Sequence, residues 1–177
     1  MRFLRPALFF LFLTIGGSTL ASPMAAQEET LIFLVRHAER ADDGGMASEA
    51  DPHLSEAGYA RASALAELLK DSGLTHIHSS DYIRTRETAA PAAEAMSLEV
   101  AIYNVRLLGD FAQELLSTPG RHLVTGHSNT TPNLVTALGG DPHGEIAEME
   151  YVRLYFLAVG PGGVETVLLR FGEPFEG

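Results

Sequence analysis

The chain predicts a three-layer α/β/α sandwich: a mostly parallel sheet with helices on both faces and an antiparallel edge strand or hairpin. Three observations lead there. Short apolar, partly branched runs alternate with stretches of helical periodicity between residues 30 and 140. The texture changes after Tyr151, where two strand-like runs flank Gly160-Pro161-Gly162-Gly163. The length of 177 residues, with no internal repeat, suits one domain.

Each element has a local reason. Residues 30–36 are continuous, apolar and branched, as a buried strand requires. Residues 41–53 are polar and contain Gly44-Gly45 and Asp51-Pro52, so they read as a loop. Ser55 can cap a helix over 56–70 whose apolar stripe is Ala62, Leu65, Ala66 and Leu69, and Gly73 ends it. Residues 74–79 form a second strand. Ser80 or Asp81 can cap a helix running to Met96, which Pro91 is expected to kink or break. Residues 98–102 and 121–125 are further strands. Short helices are expected over 109–116, before Pro119-Gly120, and over 132–138, before Gly139-Gly140. The runs 151–159 and 164–171 make a hairpin at the sheet edge.

In such sheets ligands bind beyond the carboxyl ends of the strands. Arg36-His37, Ser79-Ser80 and Gly126-His127 all leave strands at that edge. Arg84 falls in the first turn of the helix that follows, where free N–H groups and the helix dipole favour an anion and a guanidinium adds bidentate contacts. Alternatively Arg84 pairs with Glu87 or Asp81 on the helix surface. Ser128-Asn129-Thr130-Thr131 could cap the next helix or line a pocket. His76 and His78 share a strand face, a spacing that can bind metal, but no third ligand is near and structural roles are favoured. His53, His122 and His143 read as surface or loop residues. Glu145, Glu148 and Glu150 read as a solvated acidic face rather than a calcium site.

The first 26 residues read as a secretory signal, and 27–177 as the folded domain. Arg2 and Arg5 form a basic n-region, residues 7–15 an apolar stretch, and Ala21, Ala25 and Ala26 offer small residues for cleavage. The apolar run is short for a membrane span. The expected form is therefore exported, periplasmic or secreted, with no membrane anchor once the signal is cut. The chain has no cysteine, which excludes disulfides and thiolate chemistry. Segment 1–26 holds two of the 12 basic residues and none of the 23 acidic ones, so its removal takes the net charge from −11 to −13. That surface repels nucleic acid, and a phosphate-bearing ligand must be drawn by locally clustered arginines.

Taken in order, Arg36-His37-Ala38, Leu54-Ser55-Glu56-Ala57-Gly58, Ser80-Asp81-x-x-Arg84-Thr85-x-Glu87-Thr88-Ala89 and Gly126-His127 resemble the histidine phosphatase superfamily, which contains the cofactor-dependent phosphoglycerate mutases. The resemblance spans residues 31–140. It implies that His37 becomes phosphohistidine, that Arg36 and Arg84 hold the phosphate, and that His127 completes the catalytic pocket, with no metal or other cofactor. Ala38 stands where many members carry glycine. Ser128 stands where one branch has an aspartate, and no glutamate in 101–116 matches the donor of another. Asp110, at a helix start, is the first candidate for proton donor, with a simple N-cap as its other reading; Glu114 and Glu39 also lie within reach in sequence.

The function expected is an exported, metal-independent phosphomonoesterase acting on a small phosphorylated substrate. A phosphohistidine protein phosphatase and a non-catalytic phosphate-binding or interaction module are the alternatives. The edge hairpin could pair with a second copy, which leaves the oligomeric state open.

Overall fold

A computed structural model describes residues 30–42 and 51–174. The expected signal segment lies outside the described residues. Within them the chain forms β1 (Thr30–Arg36), α1 (Glu56–Leu69), β2 (His76–Ser80), α2 (Ile83–Met96), β3 (Val100–Tyr103), α3 (Leu108–Ser117), β4 (Gly120–Gly126), α4 (Thr130–Ala137), β5 (Arg153–Gly160) and β6 (Gly163–Arg170). The strands make one six-stranded sheet in the order β3-β2-β4-β1-β5-β6. β1 to β4 pair in parallel, and β5 and β6 are antiparallel additions ending on an edge. This is the expected sandwich.

The buried strands carry apolar side chains to both faces, as a covered parallel sheet requires. On β1, Ile32 and Leu34 face Phe111, Leu115, Leu134 and Val135 of α3 and α4. Val35 faces Leu65 and Leu69 of α1 and Ala89 and Ala92 of α2, together with Ile77 and Leu123. The chain leaves β1 through α1 toward β2, and leaves β4 through α4 toward β5, on opposite sides of the adjacent β1–β4 pair. That divergence opens a crevice at the two carboxyl ends. The register sets Arg36 opposite Gly126. The next residue on each strand is a histidine.

Ser55 caps α1, its hydroxyl accepting from the Gly58 amide at 3.1 Å. Gly58 is there because the loop leaving β1 runs against it: a Cβ on Gly58 would sit 2.2 Å from the Glu39 carbonyl oxygen. Gly58→Ala is therefore expected to cost about 2 kcal/mol of stability through overpacking, read as a lower Tm; an unchanged Tm would mean that the loop yields freely.

Several expectations are corrected. Pro91 neither breaks nor divides α2, which runs unbroken from Ile83 to Met96. The missing amide is outweighed by the buried face of Thr85, Thr88, Ala89, Ala92 and Ala93. Neither Ser80 nor Asp81 caps α2; Tyr82 holds that position without a side-chain bond. His122 is not a surface residue but fully buried on β4. Its ring stacks on His76 at 4.6 Å, so the His76–His78 pair belongs to a three-ring structural stack. Glu150 is not on a solvated face: it is buried, with Arg153 Nε donating to it at 2.7 Å.

Candidate active site

His37 is fixed from both sides. Its amide donates to the Gly126 carbonyl at 2.8 Å, and its Nδ1 lies 2.8 Å from the Ala38 carbonyl. A carbonyl can only accept, so Nδ1 carries the proton and Nε2 keeps its lone pair. Burial drives the pKa down to about 3; the Ala38 carbonyl opposes this, while Arg36, Arg84 and His127 lower it further. The imidazole is neutral throughout the neutral range, the state a nucleophile needs. Thr88 secures the turn: its hydroxyl accepts from the Ala38 amide at 2.9 Å and donates to the Arg84 carbonyl at 2.7 Å.

His127 stands edge-on to His37, with ring centroids 5.5 Å apart. A chain of hydroxyls orients it. The Thr85 hydroxyl donates to backbone carbonyls, and Ser80 donates to Thr85 at 2.9 Å. Ser80 Oγ is then the acceptor for His127 Nε2–H at 2.9 Å, which leaves the lone pair on Nδ1. Burial, with Arg84 and Arg36 beside it, lowers the His127 pKa to about 4, against the opposing pull of Asp51. Gly126 allows the close approach of this strand end, because a Cβ there would lie 2.9 Å from both Thr131 Oγ1 and Tyr103 Oη.

Arg84 does lie in the first turn of α2, at the site. Its partner is Asp51, neither Glu87 nor Asp81. Asp51 Oδ1 accepts from Arg84 Nη1 at 3.1 Å, and the same carboxylate accepts from the Ile83 amide at 3.0 Å. Asp51 thus supplies the helix cap across 32 residues of sequence. The guanidinium lies 4.6 Å over the Tyr82 ring and Nη2 is 3.4 Å from His127 Nδ1. Arg84 Nε is buried with no hydrogen-bond partner among the described residues. Arg36 stacks 4.1 Å over Tyr151 and donates to the carbonyls of Ala147 at 3.0 Å, of Glu148, and of Glu150 at 3.3 Å. It joins the pocket to the loop before β5.

Arg36, His37, Tyr82, Arg84 and His127 line one cavity of about 540 Å³, together with Arg40, Val105, Ser128, Asn129 and Glu148. Three arginines at one rim offset the acidic surface locally. Asp110, expected as the proton donor, does not line this cavity. It lines a separate one with His78 and Glu114, because the first turn of α3 faces the β2–β3 side of the sheet. Glu39 is held away from the nucleophile by Arg61, whose Nε donates to its two oxygens at 2.9 and 3.0 Å. Among the described residues lining the pocket, Glu148 is the acidic one. No group of three or more His, Cys, Asp or Glu among the described residues could hold a metal ion.

Residues 32–105 match the profile of the histidine phosphatase superfamily (branch 1). Over 69 residues the chain is 36% identical to the probable phosphoglycerate mutase GpmB of Yersinia pestis, a match covering 38% of this chain and 32% of that protein. Over residues 32–105, then, the chain is similar to the histidine phosphatase superfamily. The match spans about a third of the curated relative's length. The fold also resembles mycobacterial glucosyl-3-phosphoglycerate phosphatase, at 18% identity and a TM-score of 0.61, covering 81% of this chain and 98% of that one. The protein histidine phosphatase SixA, in complex with tungstate, is similar at 18% identity and a TM-score of 0.60, covering 78% and 94%.

The superfamily motif around Arg84 has a local explanation beyond the arginine. Thr85 and Thr88 tie α2 to β2 and to the exit of β1, and Glu87 accepts from the Leu54 amide at 2.9 Å. Sequence reasoning passed over Arg40, Tyr82 and Asp51. Arg40 was detectable, three residues after His37 in the same strand exit. Asp51 and Tyr82 had no local signal, since their roles arise from contacts between a loop and a helix end.

Proposed function

We propose that this chain is an exported phosphomonoesterase that passes the phosphoryl group of a small phosphorylated substrate to His37 and then to water. The observation that carries this reading is the neutral, Nδ1-protonated His37 beside Arg84 and His127 at one cavity wall. His37 Nε2 attacks phosphorus as the bond to the leaving oxygen breaks. Charge spreads over the peripheral oxygens, where Arg36, Arg40 and Arg84 face it, and positioned positive charge is most of what this reaction asks of a protein. A bound dianion raises the proton affinity of His127, which then donates to a peripheral oxygen. Water next attacks the phosphohistidine, the P–N bond breaks, and the imidazole regains its lone pair. No metal ion is required in this scheme.

The leaving group takes its proton from water or from Glu148. With Glu148 as the acidic residue lining the pocket, the reading favours leaving groups that need little protonation. The same observation supports a second reading, dephosphorylation of phosphohistidine, whose imidazole leaves easily. The test is hydrolysis of aryl phosphates of graded leaving-group pKa, with chelator present. A steep decline of kcat/KM with leaving-group pKa is expected, with the same slope in Asp110→Asn. A flat profile would place an efficient acid in the pocket, and absence of turnover would leave a phosphate-binding module. Export rests on the composition of residues 1–26; N-terminal sequencing of protein recovered outside the cytoplasm checks it, and an intact Met1 would overturn it.

A further inference from the structure

We propose that Arg61, which lies outside the phosphate pocket, is a positioning residue for the nucleophile: its clamp on Glu39 fixes the peptide carbonyl that holds His37. The inference rests on the reading of His37 as the nucleophile. The carbonyl that accepts from His37 Nδ1 at 2.8 Å belongs to Ala38, and so to the peptide plane that Ala38 shares with Glu39. Any rotation at Glu39 turns that plane and moves the acceptor. The backbone holds one side of Glu39, whose carbonyl accepts from the Ser55 amide at 2.9 Å. The side chain holds the other. Arg61 Nε donates to the two carboxylate oxygens at 2.9 and 3.0 Å, and Arg61 Nη2 lies 2.7 Å from Oε1.

Arg61 is held in turn from behind. It is buried on the inner face of α1, beside Ala62 and Leu65. Its Nη1 donates to the Phe171 carbonyl at 2.8 Å and its Nη2 to the Glu173 carbonyl at 3.2 Å, so each nitrogen of the guanidinium has a partner. Gly172, between those carbonyls, has a φ of 72°, and a Cβ there would lie 2.4 Å from Arg61 Nη1. Glycine is what lets the segment after β6 close this tightly on the guanidinium. Phe171 anchors that segment: its amide donates to the Val152 carbonyl at 3.0 Å, and its side chain packs against the cluster that holds Leu65 and Leu69. A buried ion pair adds little net stability over apolar side chains of similar size. Placement accounts for it better. The fork joins two packed elements, α1 and the segment after β6, to the residue that lies between His37 and Arg40, both of which line the cavity.

The test combines NMR of the histidine ring nitrogens with steady-state kinetics on an aryl phosphate, in the whole protein. In Arg61→Met, kcat is expected to fall about tenfold or more, with KM changed by less than about twofold. The His37 ring should exchange its single Nδ1-protonated pattern for a mixture of tautomers, while His78, bonded to His122, keeps its own pattern. Adding Glu39→Met removes the carboxylate left buried without its partner, so Tm should recover while kcat and the tautomer mixture do not. A merely structural role predicts that kcat returns with Tm, and that result overturns the proposal. So does an unchanged kcat, or a single His37 tautomer, in Arg61→Met. Should the methionine variants fold poorly, Arg61→Lys keeps the charge but cannot span the carboxylate and both carbonyls. The same loss of kcat and the same mixture are expected there, and values equal to those of the unaltered protein overturn the proposal. Turnover by the unaltered protein tests the phosphatase reading, whereas the ring pattern is read without turnover, so the two can fail separately.

Discussion

His37→Asn is expected to lower kcat/KM for an aryl phosphate by about a thousandfold or more, while oxyanion binding persists. Asparagine can keep the donor that His37 Nδ1 presents to the Ala38 carbonyl at 2.8 Å, so the turn after β1 retains its hydrogen bond. It has no counterpart to Nε2. The nucleophile goes and the anion site stays, because Arg36, Arg40, Arg84 and His127 still line the cavity. The variant should therefore bind inorganic phosphate with an affinity close to that of the unaltered protein. Rapid quenching in alkali, where N-phosphoryl bonds survive, should trap labelled phosphohistidine in the unaltered protein and none in the variant. A variant that still turns over would show that water, or His127, attacks the substrate directly.

Arg84→Lys separates positioning from charge. Lysine keeps the cation but loses the fork that spans Asp51 and His127 at 3.1 and 3.4 Å. A fall in kcat larger than any rise in KM, about tenfold or more, is expected if the fork aligns the transferring group. Equal changes in both would mean that Arg84 contributes charge alone.

What was legible in the sequence follows from how local each cause is. β1 and β4 could be read directly, since a run such as Leu31-Ile32-Phe33-Leu34-Val35 is buried on both sheet faces and needs no distant partner to be recognised. That both strand ends lie at one edge of the sheet followed from the alternation of elements; their adjacency is seen only in the structure, where the register delivers His37 and His127 side by side. The proton donor was not legible in the same way. Asp110 lies within a suggestive sequence window, but the direction of the first turn of α3 depends on how that helix packs against β2 and β3, and it turns Asp110 to the other cavity. Asp51 shows the reverse case. It lies in a polar stretch that read only as loop, yet it caps α2 and holds Arg84. Pro91 does not break α2 because the buried face of Ala89, Ala92 and Ala93 outweighs the lost amide bond, a tertiary effect that local propensity does not carry.

Acid should destabilise this protein well above the pH at which carboxylates titrate. Burial holds His37 near pKa 3 and His78 and His127 near 4, and lowers His122 as well, whereas an unfolded chain protonates histidine at the ordinary value of 6.5. Between 6.5 and those depressed values the unfolded state binds more protons than the folded one. Stability therefore rises with pH across that window and falls as the solution is acidified through it. For His37, His78 and His127 the loss is on the order of 2 kcal/mol each by pH 4.5, against about 5–15 kcal/mol for a typical domain. The expected fall in Tm between pH 7.5 and 4.5 is on the order of 10 °C or more. Inorganic phosphate divides the effect. Bound beside His37 and His127, an anion favours their protonated forms and should return part of the loss, whereas His78 and His122, stacked at 5.4 Å on the other side of β4 from α2, gain nothing from it. A Tm that is flat from pH 7.5 to 4.5 would mean that the buried rings accept protons without leaving their places, and the neutral nucleophile argued for His37 would lose its electrostatic basis with them.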